Sequence, residues 1–390
     1  MDYRADMVFR TREIIHSPNS RLLIHMPTGS GKTRVAMEVI SHFLNEKEGR
    51  QVIWLADRAE LCEQAMDAFL RVWNHLGKYP ISICRIWGDA RVPTSIIGTA
   101  FAVAMCQKIR RPPDALKVDL VVADEAHIAV APTYSDTIER LRDRRTRQTR
   151  VMGLTATPGR GSGIIEENKN LRSFFKQTMM GISDEEGTIE SLQKKGILAR
   201  CEREIFKPDI EYKLTKEEWK KLSEDYGREF PDGLLEKIVN DQKRNLKILI
   251  ELRKIGQSYD RVMVFCGSVK QARLMSGFMD ACGYPPAYID GKSPSGYRKD
   301  VVDKFRDGSI QFLFNFNVFT AGFDVPLIDA VVIARPTTSV VLYGQMIGRG
   351  MRGPRMGGTA AFTLVDVVDN IITDYSGLDN VHEFFEEYWE

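Results

Sequence analysis

The sequence predicts an α/β protein built on two parallel sheets, each covered by helices on both faces. Apolar, β-branched runs alternate with helical patterns, and they do so in two separate series along the chain. A length of 390 residues is also long for one hydrophobic core and comfortable for two domains.

The first series has candidate strands at Arg21 to His25, Gln51 to Ala56, Ser95 to Thr99, Leu120 to Asp124 and Val151 to Thr155. The second has them at Arg261 to Cys266, Ala287 to Ile289, Ile310 to Phe314, Ala330 to Ala334 and Ala361 to Val365. Between the two lies a charged, mostly helical stretch, about Glu166 to Lys254, with Lys/Glu-rich pieces such as Thr215 to Lys221. The boundaries expected from this are a first domain over 1–205, a charged helical linker region over 206–254 and a second domain over 255–390 with an acidic tail.

Composition narrows the class. An apolar content of 43% with 28% charged residues is that of a globular protein. No stretch approaches 18 uncharged apolar residues and the first 15 residues carry charges throughout, so no membrane span or signal core is expected and the predicted location is cytoplasmic. The six cysteines lie far apart without a C-x-x-C pair, which predicts reduced thiols rather than disulfides or a zinc site. Residues 364–390 hold eight acidic side chains and no Lys or Arg, so the remainder of the chain is clearly basic and suits a polyanionic partner. The densest basic run is Arg140 to Arg150, which reads equally well as a phosphate-facing surface or a solvated helix face.

Directly after Leu22-Leu23-Ile24 comes His25-Met26-Pro27-Thr28-Gly29-Ser30-Gly31-Lys32-Thr33, a phosphate-binding loop between a strand and a helix. Gly29 and Gly31 allow a tight turn with inward N–H groups, Lys32 can reach β- and γ-phosphates, and the Thr33 hydroxyl can ligate Mg²⁺. Helical patterning from Arg34 to Leu44 puts the phosphates at a helix N-terminus. Met26 stands where the pattern usually begins with Gly. About ninety residues later, Val121-Val122-Ala123-Asp124-Glu125-Ala126-His127 ends a buried strand in two adjacent carboxylates. With the loop, they assign Asp124 to Mg²⁺ and Glu125 to the attacking water. Gly153-Leu154-Thr155-Ala156-Thr157-Pro158-Gly159 ends the next strand with two hydroxyls. In the second half, Gln345, Arg349 and Arg352 recur at helical spacing, which predicts one helix face, and such an Arg pair can stabilise a transferring phosphoryl group.

These residues resemble the superfamily 2 helicases and translocases, specifically the DEAH-box group related to XPB, UvrB and the motor subunits of restriction enzymes. The resemblance covers nearly all the chain through an ordered set of motifs. In the first half these are Pro27 to Thr33 (I), Leu55 to Leu61 (Ia), Gly98-Thr99-Ala100 (Ib), Asp124 to His127 (II) and Leu154 to Pro158 (III). In the second half they are Val264 to Ser268 (IV), Thr320 to Pro326 (V) and Gln345 to Arg352 (VI).

The resemblance implies two RecA-like domains with ATP and Mg²⁺ in a cleft between them and nucleic acid across both. It implies that Pro27, Thr28, Gly29, Ser30, Gly31, Lys32 and Thr33 hold nucleotide, with Gly322 and Asp324 beside the ribose. Arg349 and Arg352 resemble arginine fingers and Gln345 a γ-phosphate sensor, while His127, Thr155 and Thr157 resemble the relay between nucleotide state and strand grip. Arg58, Thr99, Ser268 and Thr320 would touch strand phosphates, a mode of binding without sequence choice. Family members usually open with R-x-Y-Q, whose Gln reads adenine; Arg4 stands in that place here, which loosens the expected choice of ATP over GTP. No wedge, zinc module or nuclease motif is recognisable, so translocation is expected to exceed duplex separation. The function expected is an ATP-dependent helicase or translocase, on DNA rather than RNA because Thr155-Ala156-Thr157-Pro158 resembles the DNA-acting branch. The alternatives are an RNA helicase or RNA-sensing ATPase of the same fold, or an ATP-gated clamp subunit of a repair, restriction or phage-defence complex.

Overall fold

The computed structural model describes residues 3–93, 99–109, 118–126, 131–142, 148–156, 165–176, 178–182, 188–224, 230–318 and 327–372. The chain divides between Thr188 and Ile189 into two compact units.

The first unit runs α1 (Tyr3–His16), β1 (Arg21–His25), α2 (Lys32–Glu46), β2 (Val52–Ala56), α3 (Ala59–Leu76), β3 (Ile83–Ile86), β4 (Phe101–Met105), β5 (Leu120–Ala123), α4 (Pro132–Leu141), β6 (Arg150–Thr155), α5 (Ile165–Phe174) and β7 (Met179–Gly181). Its seven strands are all parallel, in the order β3-β4-β2-β5-β6-β1-β7. Central strands such as Val52–Ala56 and Leu120–Ala123 are buried along their whole length, as strands covered on both faces must be. Ile53, Leu55, Val121, Ala123 and Val151 form one side of a core that Tyr134, Ile138 and Leu141 of α4 close.

The second unit runs α6 (Ile189–Lys194), β8 (Arg200–Phe206), β9 (Glu211–Lys213), α7 (Lys216–Glu224), α8 (Asp232–Val239), α9 (Gln242–Ser258), β10 (Val262–Phe265), α10 (Val269–Ala281), β11 (Pro286–Ile289), α11 (Ser295–Asp307), β12 (Phe312–Asn315), β13 (Ala330–Ile333), α12 (Val340–Ile347), β14 (Ala361–Val367) and β15 (Asn370–Ile372). Six parallel strands form a sheet in the order β11-β12-β10-β13-β14-β8, and β15 pairs separately with β9.

Three expectations change. The boundary at 205 moves to 188/189, because Arg200–Phe206 pairs residue for residue with Ala361–Val367 at the edge of the second sheet. The region 206–254 is likewise no free linker: Ile248, Leu249, Leu252 and Ile255 of α9 lie in the second unit's core beside Val262, Val264 and Phe312. The strand expected at Ser95 to Thr99 is instead Phe101–Met105, paired with β2, and residues 94–98 fall outside the described ones.

Candidate nucleotide and strand site

The register of the first sheet assembles the phosphate loop and the carboxylates. Leu23 pairs with Gly153 and Gly153 with Ala123, so β1, β6 and β5 run level to their carboxyl ends. Beyond this level β1 and β6 stay paired through Ile24–Leu154 and His25–Thr155, while β5 ends and Asp124 and Glu125 form the turn that follows it. With parallel strands about 4.8 Å apart, the roots of the loop and of the carboxylate pair are separated by about 10 Å. Ligands of open α/β sheets bind at this carboxyl edge.

In the loop, Gly29 and Gly31 adopt φ of +84° and +94°, the left-handed region where side chains are strained, and Gly31 caps α2. Met26 donates its N–H to the Thr155 carbonyl at 3.1 Å, and its side chain is fully buried, so the residue that departs from the usual Gly serves the core. Lys32 Nζ donates to the Met26 carbonyl at 3.2 Å, which curls the ammonium back over the loop. These N–H groups, with the start of α2 and the lysine, fit a polyphosphate.

Asp124 donates its N–H to the Leu55 carbonyl at 3.0 Å, and Glu125 donates its own to Asp124 Oδ1 at 3.0 Å. Glu125 has φ +48°, rare for a residue with a side chain and typical of positions held for function. Burial, then the Glu125 charge, push the Asp124 carboxyl up to about 7, against the pull of Lys32 and the Glu125 N–H; Asp57 adds a smaller push. A carboxylate pair so placed is chemically suited to a cation. The described residues hold no cluster of three or more His, Cys, Asp or Glu, so a divalent ion here would rest on Thr33, Asp124 and the phosphates themselves, the manner in which Mg²⁺ is held.

His25 carried no role in the sequence reading. Its Nε2 lies 3.0 Å from the Ala156 carbonyl, to which only an N–H can donate. Burial lowers its pKa, the Ala156 bond opposes this, and the nearby Lys32 charge lowers it further. Thr155 is fully buried beside it. Gly153 supports the arrangement from the middle of β6: a Cβ there would meet the Phe175 ring at 2.4 Å and Ala126 at 2.8 Å, so only glycine lets the turn after Asp124 pack down.

The strand-contact candidates divide. Arg58 is exposed just past the carboxyl end of β2, with its guanidinium 3.6 Å from Asp57. Thr99 lies at the opposite, amino edge, because the apolar run Phe101–Met105 is the strand it precedes; its carbonyl lies 3.5 Å from the Gln51 amide. Thr99 is therefore withdrawn as a strand contact. His127, Thr157, Thr320, Gly322 and Asp324 lie outside the described residues. In the basic run, Arg140 pairs with Asp136 and Arg142 with Glu139, while buried Arg150 donates to the Ile15 carbonyl at 2.8 Å; residues 143–147 are outside the described set.

In the second unit, Ser268 ends the turn after β10 and caps α10, accepting from the Gln271 N–H at 3.0 Å. Gln345 sits on α12, but the single helix face expected for it with Arg349 and Arg352 is not formed. The helix stops at Ile347, and Arg349 and Gly350 turn back with N–H bonds to Met346 and Ile347, three residues behind. Gly350 is so close to Phe362 that a Cβ would lie 2.3 Å from the ring, and Arg352 then pairs in extended form with Leu198. Burial lowers the Arg352 guanidinium to about 10, still a cation at neutral pH.

Among the described residues no helix is long and apolar enough to cross a membrane. The family described as "Type III restriction enzyme, res subunit" matches residues 1–160, and "Helicase conserved C-terminal domain" matches 244–354. The chain is 25% identical over 366 residues to IRC3 of Saccharomyces cerevisiae, named as an ATP-dependent helicase, covering 90% of this chain and 49% of that protein. It is 24% identical over 396 residues to the type I restriction enzyme EcoAI endonuclease subunit of Escherichia coli, covering 93% and 45%. It thus spans about half the length of these two relatives; of a 51.5 kDa protein of Lactococcus phage, 27% identical, it covers 70%. Among solved structures, S. cerevisiae Dbp5 bound to RNA and ADP BeF3 matches with a TM-score of 0.63 at 15% identity, over 100% of this chain and 91% of that one. The Pyrococcus furiosus Hef helicase domain matches at 0.53 and 17%, over 94% and 95%, and both likenesses establish the RecA-like fold. With a phosphate loop and an acidic pair at the carboxyl edge of one parallel sheet and the helicase C-terminal pattern on the second unit, the chain is similar to the superfamily 2 helicases, restriction-enzyme subunits among them.

Proposed function

We propose that this chain is an ATP-driven nucleic-acid motor that acts on DNA in preference to RNA. The observation that carries the reading is the shared carboxyl edge of β1, β6 and β5, which sets Lys32, Thr155 and the Asp124–Glu125 pair around one place. Thr33 and Asp124 would hold Mg²⁺, which would supply positive charge against the charge that develops on the phosphates. Lys32 exchanges its hold on the Met26 carbonyl for the phosphates, and Thr33 and Asp124 hold the cation's side of the site. Glu125 orients a water and takes its proton as the oxygen attacks the γ-phosphorus and the bond to the β–γ bridging oxygen breaks, with the nucleoside diphosphate leaving. Arg349 and Arg352 are the proposed source of positive charge for the transferring phosphoryl, with Gln345 reporting its presence. Arg58 and Ser268 are proposed to meet strand phosphates, and His127 with Thr155 and Thr157 to pass the nucleotide state to them.

The preference for DNA is supported by Thr155-Ala156-Thr157-Pro158 and by the restriction-enzyme relative. The test is ATP turnover of the full chain with matched single- and double-stranded DNA and RNA over a salt series. Stimulation by DNA, falling steeply with salt and indifferent to sequence, is expected for phosphate contacts. Stimulation by RNA alone, turning on the 2′-OH, moves the reading to an RNA motor. Turnover without displacement or translocation moves it to an ATP-gated clamp.

A further inference from the structure

We infer that Gln271 and Asn245 are positioning residues that hold the Gly267–Ser268 turn in its strand-binding form; the inference rests on the motor reading above. Gln271 is 1% exposed and Asn245 4%. Two amides so deep in a helix interface are costly to bury without partners. Here each bond is directed at the turn or its support. Gln271 Oε1 accepts the Gly267 N–H at 2.7 Å, Gln271 Nε2 donates to Asn245 Oδ1 at 2.8 Å, and Asn245 Nδ2 donates to the Val239 carbonyl at 2.9 Å. The relay therefore links the end of α8, the first turn of α9, the first turn of α10 and the turn after β10.

Ser268 and Gln271 have the spacing of a capping box, in which the third helical residue returns its side chain to the cap residue's own N–H. In this chain the return bond goes one residue further back, to Gly267, and draws the whole turn under α10. Val239 grips the turn from the other side: a Cβ on Gly267 would lie 2.2 Å from Val239 Cγ1. Ser268 is left extended at φ −156° and ψ 159°. Its hydroxyl spends an acceptor site on the Gln271 N–H, which leaves the O–H proton to donate, and a phosphate oxygen is an acceptor. Apolar side chains would serve helix packing alone; the amides instead pair the Gly267 N–H and the Val239 carbonyl, bonds that apolar replacements would remove. The relay fixes the direction in which Ser268 donates.

The test uses the full chain with Gln271→Met, Asn245→Leu and the double variant. A groove of about 390 Å³ beside these amides, walled by Leu249, Leu274 and Phe278, gives the apolar replacements room. Affinity for a labelled single strand of DNA and of RNA is read beside affinity for Mg·ATP and the melting temperature. Each single change is expected to weaken strand binding about tenfold, leave Mg·ATP affinity as in the parent, and combine without adding, as members of one relay do. If Gln271→Met does not fold, Gln271→Glu keeps an oxygen for the Gly267 N–H, and the inference requires its strand affinity to stay above that of Asn245→Leu. Lowered melting with parental strand affinity would overturn the inference and leave the motor reading standing. A parent that binds neither polymer would overturn both.

Discussion

The Tyr343 phenol donates a 2.5 Å hydrogen bond to Asp366 Oδ2, and Arg203 Nε meets the same oxygen at 2.8 Å. Both Tyr343 and Asp366 are buried, and the three residues come from α12, β14 and β8. The bond fixes the helix that carries Gln345 to the sheet. Tyr343→Phe removes one donor to a buried carboxylate that keeps its arginine, so a loss of about 1–3 kcal/mol is expected. Thermal denaturation measures it, and strand-stimulated turnover is expected to fall further than Mg·ATP affinity because Gln345 loses its anchor.

Gly350→Ala tests why α12 stops where it does. The new methyl would meet the Phe362 ring, itself buried in β14, and overpacking of this kind costs about 1–3 kcal/mol. A lowered melting temperature is expected together with impaired turnover, since Arg349 and Arg352 flank the displaced residue. Unchanged melting would show that the segment has room to move.

This turn also marks where sequence reading reached its limit. Arg349 and Arg352 stand at helical spacing from Gln345, but the helix stops at Ile347 and the chain turns through Gly348-Arg349-Gly350, where Gly350 packs on Phe362 from β14. The central strands were legible because parallel strands buried on both faces leave unbroken apolar runs, as in Leu120–Ala123. Ile83–Ile86 and Met179–Gly181, edge strands with exposed positions, leave no such run. Arg200–Phe206, with charges at 200, 202, 203 and 204, leaves no apolar run and falls almost wholly within the expected first domain, because its partner, Ala361–Val367, is more than 150 residues away. The phosphate loop and acidic pair were legible because their chemistry is carried by adjacent residues. His25 was not, since its role depends on the Ala156 carbonyl of another strand.

Asp124→Asn tests the electrostatics of the site through pH. The Asp124 carboxyl titrates near 7 when folded and near 3.8 when unfolded. Between about pH 4 and 7 the folded chain therefore holds the extra proton. The stability this contributes is present in full below pH 4 and is lost as pH rises through 7. Asparagine cannot ionise. In buffer without nucleotide or divalent metal, the melting temperature of the variant minus that of the parent is expected to grow from pH 5 to pH 8. An equal pH dependence in the two proteins would contradict the burial assigned to this carboxyl.

Lys32→Ala removes the positive charge of the loop. Nucleotide affinity is expected to fall and turnover to vanish, with unstimulated strand binding retained because the proposed strand contacts lie elsewhere. Nucleotide titration and strand titration on the same preparation separate the two effects. Near-parental turnover would remove the phosphate-loop assignment.

The central claim is that the carboxylates at the end of β5 hydrolyse a nucleotide held by the loop at the end of β1, in response to a bound strand. The most direct measurement is steady-state ATP turnover of the parent and of Glu125→Gln, each with and without single-stranded DNA. The account predicts DNA-stimulated turnover in the parent, and in the variant intact ATP and DNA binding with a rate lower by about 10² or more, the contribution typical of a positioned general base. Stimulated turnover in Glu125→Gln equal to that of the parent would contradict it.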